Sequence, residues 1–148
     1  MSIATLIKFF ERDLNRLKEE VMAYSKEDNL WIIDHDIKNC GGNLALHLVG
    51  NLNTYIGKNL GNTGYVRQRD LEFSAKDVPQ HKIIEKIEGT ATMITSVLES
   101  LNDDDLKKTY PENIFGYEMT TDYFLTHLVA HLSYHLGQVN YHRRLLDK

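Results

Sequence analysis

The chain has 148 residues, 42% of them apolar and 26% charged, and its formal net charge is -4. These values fit one soluble globular domain over residues 1–148, and two prolines with nine glycines are too few for the tight turns of a β-sandwich. Acidic charge without a basic cluster argues against a nucleic-acid-binding surface. The one cysteine, Cys40, cannot form an internal disulfide. We expect a cytoplasmic protein without membrane contact, since no signal peptide or long apolar run is present.

The first half of the chain contains two amphipathic segments. Apolar residues three and four positions apart predict a helix near residues 2–25. A helix-breaking segment at Asn39–Gly42 then precedes a second predicted helix over residues 42–59. Residues 61–76 combine turn residues with alternating charge and show no sustained period. We interpret them as a crossover or a loop, and a loop of this length is often functional.

A helix start signal precedes the third apolar segment. Asp77 can accept hydrogen bonds from free backbone amides, and Gln80 follows three residues later, as in a capping box. The apolar positions that follow predict a helix ending near Asn102.

The last part of the chain carries a fourth helix. Residues 113–119 predict a short extended piece within a polar connection, and Thr120 or Thr121 predicts the N-cap of a helix that runs close to the C-terminus. Four helices joined by one short and two longer connections predict an all-α fold, a four-helix bundle with long crossover connections.

Three of the seven histidines are candidate metal ligands. His131 and His135 lie one helical turn apart, so their Cβ atoms are about 5–6 Å apart on a face that also carries apolar residues. His47 forms a polar stripe with Asn43 and Asn51 at the edge of the second helix's apolar face. Three imidazoles with a free coordination position are typical of a catalytic metal site, whereas a closed structural zinc site favours cysteine. The alternative is that these are hydrogen-bonded core histidines.

The remaining histidines have weaker signals. His127 lies one turn before the pair and could support it or act as a spare ligand, or it could face solvent. His142 is seven residues past His135, about 10 Å along the helix axis, so it cannot bind the same ion. His35 and His81 have no chemical constellation around them, and we expect them at the surface.

Three segments resemble the DinB-like superfamily. The run His131-Leu-Ser-Tyr-His135-Leu-Gly-Gln138 is similar to the closing signature of that superfamily. The stretch Asn43–Leu52 resembles the second-helix signature of an uncharacterised branch, and residues 65–73 resemble the charged crossover loop of the same branch. The resemblance covers nearly the whole chain, and its motifs occur in the expected order.

The resemblance implies a four-helix bundle that is often a homodimer and binds a divalent metal such as zinc or nickel. The metal ligands it implies are His47, His131 and His135. Characterised members of the superfamily include thiol-dependent transferases and isomerases. It therefore implies a metal-dependent thiol S-transferase, or a related hydrolase or isomerase, that acts on a small molecule with a low-molecular-weight thiol as co-substrate.

The candidates for substrate contact are Asn51, Arg67, Arg69 and Gln138. Cationic side chains in the crossover loop could bind a carboxylate of the thiol, or they could be solvated loop residues. A metalloprotease of the H-E-x-x-H type is excluded because Leu132 follows His131. The alternative function is a non-catalytic, metal-stabilised bundle that acts as a stress-related binding module.

Two segments flank the predicted helix that carries His47. We predict that the Asn39–Gly42 segment and the 61–76 crossover form the mouth of its pocket. Cys40, at the predicted helix start, is either activated by the helix N-terminus or inert and buried.

Overall fold

The computed structural model describes residues 1–148 as a helical protein without strands. The helices in chain order are α1 (Ile3–Ala23), α2 (Gly41–Leu52), α3 (Arg69–Ser74), α4 (Gln80–Glu99), α5 (Asp103–Lys107) and α6 (Thr121–Leu146). The long helices α1, α2, α4 and α6 pack together as a bundle. The predicted all-α four-helix bundle with long crossover connections is confirmed.

Helix α1 buries one apolar stripe against α4 and α6. The stripe consists of Leu6, Phe10, Leu14, Leu17 and Val21, each at most 1% exposed. Because these residues are three or four positions apart they share one face, and full burial of such a side chain stabilises the fold by about 1.5–3 kcal/mol. The side chain of Ser2 accepts a hydrogen bond from Thr5 N and caps the helix, which agrees with the predicted start.

Helix α2 continues beyond Leu52 in a wider form. A π-helical segment, Asn53–Lys58, and a final α-helical turn, Asn59–Gly61, extend it to a left-handed residue at Asn62. The hydroxyl of Thr54 donates to the carbonyl of Gly50 at 2.8 Å, which supplies a hydrogen bond where the backbone ladder widens. The second predicted helix is confirmed, and it runs slightly further than predicted.

Helix α4 has a different N-terminal cap from the predicted one. Asp77 lies outside the helix with φ 58°, in the left-handed region, and Pro79 occupies the N-cap position without a side-chain hydrogen bond. The carboxylate of Glu27 instead accepts from the backbone amide of Gln80 at 2.7 Å. The predicted Asp77 cap is therefore wrong, because a residue 53 positions earlier in the chain satisfies the helix end.

The connection between α4 and α6 contains no extended piece at residues 113–119, so that prediction is wrong. It forms helix α5, which begins after a capping box at Asn102. Its only β-type contact is a single bridge between Thr109 and Thr120, which joins the two ends of a loop that doubles back. Thr120 is also the N-cap of α6, because its side chain accepts a hydrogen bond from Tyr123 N. Of the two predicted N-cap residues, Thr120 and Thr121, the structure selects the first.

Helices α2 and α6 run antiparallel across the bundle. Near the start of α2, His47 lies against His131, whereas further along α2 the ring of Tyr55 lies edge-on against Phe124 at 5.3 Å. The facing sides of these two helices therefore carry the candidate metal ligands. Neither α6, with 26 residues, nor any other helix is long and apolar enough to cross a membrane.

Candidate metal centre

The three histidines singled out from the sequence converge at one point. Nε2 of His131 lies 3.4 Å from Nε2 of His47 and 3.1 Å from Nε2 of His135. One ligand atom from each of the three lies within 4.8 Å of the others. His47 is buried and the other two are half-buried. This cluster has the composition and spacing to hold a metal ion.

Two of the imidazoles have their outer nitrogen bound by an acceptor. Nδ1 of His47 lies 3.0 Å from Oε1 of Glu72, and Nδ1 of His135 lies 2.7 Å from Oε1 of Gln138. A carboxylate or amide oxygen accepts hydrogen bonds, so both Nδ1 atoms carry the hydrogen. In the neutral form of each ring, Nε2 therefore presents a lone pair to the centre of the cluster.

The ring of His131 is the third corner of the cluster, with its centroid 5.2 Å from that of His47 and 4.5 Å from that of His135. Burial, together with the neighbouring imidazoles, lowers the pKa of His131 to about 3. Burial also lowers the pKa of His135. Neutral imidazole is the form that binds metals, so the surroundings favour the ligand state of both residues.

The donor set passes a simple test of fit to a cation. His131 has one N–H and can direct it to only one of its two neighbours, so at least two lone pairs face each other across the cluster without a hydrogen between them. A divalent cation among the three Nε2 atoms would satisfy all of them, and three neutral nitrogen ligands with a position left open are typical of catalytic zinc.

Glu72 is the functional residue that the sequence interpretation missed. Arg67 donates to both of its oxygens, from Nε to Oε2 at 2.8 Å and from Nη2 to Oε1 at 2.9 Å. Burial by itself would raise the pKa of the Glu72 carboxyl, but the hydrogen bonds from His47 and Arg67 outweigh it and lower that pKa. Glu72 is thus a buried anion that orients His47. No spacing rule connects the two residues, which are 25 positions apart.

A side chain of α2 binds the backbone of helix α3 and of the residue that follows it. The side-chain amide of Asn43 donates to the carbonyl of Glu72 at 3.0 Å and to that of Ala75 at 2.8 Å. At Gly50, an added Cβ would collide with the carboxyl group of Glu72. The hydrogen bonds from Asn43 hold the backbone of Glu72, and the absence of a side chain at Gly50 leaves space for its carboxylate.

The four candidates for substrate contact occupy different environments. Gln138 is bound to His135. The side chain of Arg67 is only 15% exposed and bound to Glu72, so it is not a solvated loop residue. Arg69 is exposed, with its guanidinium carbon 5.5 Å from the centroid of Phe73. Asn51 is 7% exposed and its Oδ1 has no hydrogen-bond partner.

The two flanking segments take different positions. The 61–76 segment is a crossover between α2 and α4, and helix α3 occupies part of it, so it is not a loop throughout. It contacts His47 through Glu72 and through Phe73, whose ring centroid lies 4.9 Å from that of His47. From the Asn39–Gly42 segment, Asn39 lines a cavity of about 390 Å³ next to Gln138. Gln138 in turn is bound to His135, so this cavity lies next to the cluster.

Cys40 is fully buried at the N-cap of α2. Its thiol donates to Oδ1 of Asn43 at 2.9 Å, and Lys76 Nζ donates to the same oxygen at 2.7 Å. These contacts correspond to the inert alternative. The protein's own thiol is therefore not presented to the histidine cluster.

His127 packs against the cluster without joining it. Its half-buried ring lies 4.8 Å from the centroid of Phe115 and 6.0 Å from that of His131. Burial lowers the pKa of His127. His35 and His81 are exposed, as predicted.

His142 belongs to a separate buried network. Its Nε2 donates to the carbonyl of Ile32 at 2.9 Å, and its Nδ1 accepts from the hydroxyl of Tyr24 at 2.7 Å. This agrees with the prediction that His142 does not share the ion.

His142 makes the stability of the protein depend on pH. Burial lowers the pKa of His142 in the folded state, although the Ile32 carbonyl opposes that shift, whereas in the unfolded chain the pKa is about 6.5. The unfolded state therefore binds more protons, and the stability that His142 contributes decreases as the pH falls below about 6.5. When the pH is lowered from about 7.5 to about 5.5, we expect the free energy of unfolding to fall less in His142→Gln than in wild type, as measured by urea titration. The control is His81→Gln, since His81 is exposed. If the unfolding free energy of His142→Gln changed with pH as much as that of wild type, His142 would not be the source of the pH dependence.

The helical bundle and the three histidines that converge from two antiparallel helices agree with the resemblance to DinB-like proteins. The chain matches the family DUF1572, described as proteins of unknown function, over residues 3–148 and belongs to it. This family is DinB-like and uncharacterised. No curated protein matches the chain significantly.

Proposed function

We propose that the protein is a divalent-metal-dependent enzyme that transfers the sulfur of a low-molecular-weight thiol to a small electrophile. The observation that carries this proposal is the convergence of three Nε2 atoms, two of them on rings whose Nδ1 is held by an acceptor. Zinc or nickel suits imidazole ligands of this kind. Characterised members of the DinB-like superfamily include thiol-dependent transferases, which supports the choice of a thiol.

The neutral ligand set suits activation of a thiol. When bound, the cation supplies positive charge that lowers the pKa of a thiol coordinated to it, so that the thiolate forms near neutral pH. Histidine binds a metal as the neutral imidazole, so three histidine ligands would not cancel that charge as cysteine ligands would. Since Cys40 is buried and hydrogen-bonded, a small molecule would supply the reactive sulfur.

Arg69 is the best placed of the candidates to meet the substrate. Its guanidinium group is exposed above Phe73, which itself contacts His47. Arg67 is already bound to Glu72, and Gln138 is bound to His135. We therefore assign recognition of a carboxylate on the thiol to Arg69, since guanidinium groups bind carboxylates in a two-point geometry.

The test compares metal-free protein with zinc-loaded and nickel-loaded protein, using an aryl halide as the electrophile. The sulfur–carbon bond forms while the halide leaves with the bonding electrons, and the thiol proton passes to water. We expect conjugation only in the metal-loaded protein. Arg69→Ala should raise KM for a carboxylate-bearing thiol and leave KM for an uncharged thiol unchanged. Tight metal binding without turnover of any thiol would contradict the enzyme and favour the non-catalytic, metal-stabilised binding module.

A further inference from the structure

Two buried side-chain atoms of the protein lack a hydrogen-bond partner, and both belong to the face between α2 and α6. They are Oδ1 of Asn51 and Nδ1 of His131. Buried polar atoms are nearly always paired in folded proteins, so each of these needs an explanation.

The antiparallel packing places the two residues in the same region. On α2, Asn51 lies one turn after His47 and one turn before Tyr55, on the side that faces α6. His47 is opposite His131, and Tyr55 is opposite Phe124. The side chain of Asn51, only 7% exposed, is therefore level with the turn of α6 that ends at His131.

The hydrogen-bonding roles of the two atoms become complementary when a metal binds. A ligand nitrogen needs its lone pair, so coordination through Nε2 of His131 places the ring hydrogen on Nδ1 and makes Nδ1 a donor. Oδ1 of Asn51 is an acceptor without a donor. Metal-binding histidines almost always donate their second ring nitrogen to such an acceptor, which fixes the orientation of the ring.

We infer that Asn51 is the outer hydrogen-bond partner of His131, directly or through one water molecule. This rests on the proposed metal site. Glu72 fills the same role for His47 and Gln138 for His135, so Asn51 completes a set of one acceptor for each ligand. Asn51 is a positioning residue and does not contact the metal.

The test compares two substitutions of the same residue. Asn51→Leu removes the acceptor at similar volume, whereas Asn51→Asp keeps an acceptor and adds a negative charge. We expect the zinc dissociation constant, measured by competition with a coloured chelator, to rise about 10- to 100-fold in Asn51→Leu and to stay the same or fall in Asn51→Asp. The Nδ1–H signal of His131 in zinc-loaded protein should be protected from exchange in wild type and Asn51→Asp, and lost in Asn51→Leu.

A merely structural role for Asn51 makes a different prediction. If Asn51 only supports the fold, Asn51→Leu would destabilise the metal-free protein, whereas the inference predicts an equal or higher unfolding midpoint because an unpaired buried atom is removed. The matched control is Asn53→Leu, which loses hydrogen bonds to Val49 O and Thr90 Oγ1. This variant should lose stability and keep its zinc affinity.

The outcomes separate the inference from the proposed function. Wild-type zinc affinity in Asn51→Leu, with zinc binding lost in His131→Ala, overturns the role of Asn51 and leaves the metal site in place. Wild-type protein that binds neither zinc nor nickel overturns both. Weaker zinc binding in Asn51→Leu and Asn51→Asp alike also overturns the inference, because the acceptor is retained in the second variant.

Discussion

Replacing His131 with alanine is expected to abolish metal binding. Its Nε2 lies 3.4 Å from that of His47 and 3.1 Å from that of His135, so removal of this ring leaves only two of the three ligands. We expect the zinc dissociation constant to rise by more than about 100-fold, beyond the range produced by loss of an outer partner. Metal content after dialysis and competition titration would measure it. His47→Ala and His135→Ala should behave in the same way.

The control for this substitution is His127→Ala. His127 lies one turn earlier on α6 and packs against the ring of His131, but it is not among the three converging residues. We expect this variant to keep its metal. Because a ligand that binds only the folded state stabilises it, zinc should raise the thermal midpoint of wild type and His127→Ala but not that of His131→Ala. Equal loss of metal in His127→Ala and His131→Ala would contradict the three-histidine assignment.

Replacing Glu72 with leucine is expected to weaken both the fold and the metal site. Arg67, whose side chain is 15% exposed, would lose its carboxylate partner, and His47 would lose the acceptor at Nδ1. Removing one member of a buried ion pair is costly, and we expect a loss of about 3 kcal/mol in the free energy of unfolding of the metal-free protein. Zinc affinity should fall about 10- to 100-fold. Urea titration and competition titration measure the two effects.

The conservative variant Glu72→Gln separates charge from geometry. Glutamine keeps an oxygen that can accept from His47, so we expect a smaller loss of zinc affinity, about tenfold or less. If Glu72→Leu binds zinc as tightly as wild type, Glu72 does not orient His47 in the metal-bound protein.

Gly50→Ala tests the same carboxylate without deleting a polar group. The added methyl group would collide with the carboxyl group of Glu72 and displace it. We therefore expect weaker zinc binding, although alanine favours a helix over glycine by about 1 kcal/mol. Gly89→Ala on α4 is the control, because an added Cβ there meets nothing within 4 Å. That variant should gain stability and keep its zinc affinity.

The helix-end signals illustrate how far local sequence reaches. Ser2 and Thr120 cap α1 and α6 through amides three residues on, a contact that any isolated helix could make. The amide of Gln80 is instead bound by Glu27, 53 positions earlier, and Asp77 is left in a turn. A capping pattern predicts the hydrogen bond only when the partner is local.

The histidine cluster divides in the same way. The spacing of His131 and His135 places them on one helix face, because helical periodicity is a local property. His47 was predicted as the third ligand from its place in the polar stripe of the second helix and from the resemblance to a known family. The ion pair of Glu72 and Arg67 beside His47 depends on the path of the crossover, which no periodic pattern describes.

The amino-acid sequence, read with its resemblance to a known family, is enough to predict a helical bundle and its three candidate metal ligands. Both follow from helical periodicity and from motifs that span a few turns. The packing of the chain sets which acceptors hold the rings, with Glu72 on His47 and Gln138 on His135, and it leaves Oδ1 of Asn51 without a partner. The contacts between separate segments depend on how α2, α3 and α6 pack, because a hydrogen bond across the bundle requires distances that the order of residues does not specify.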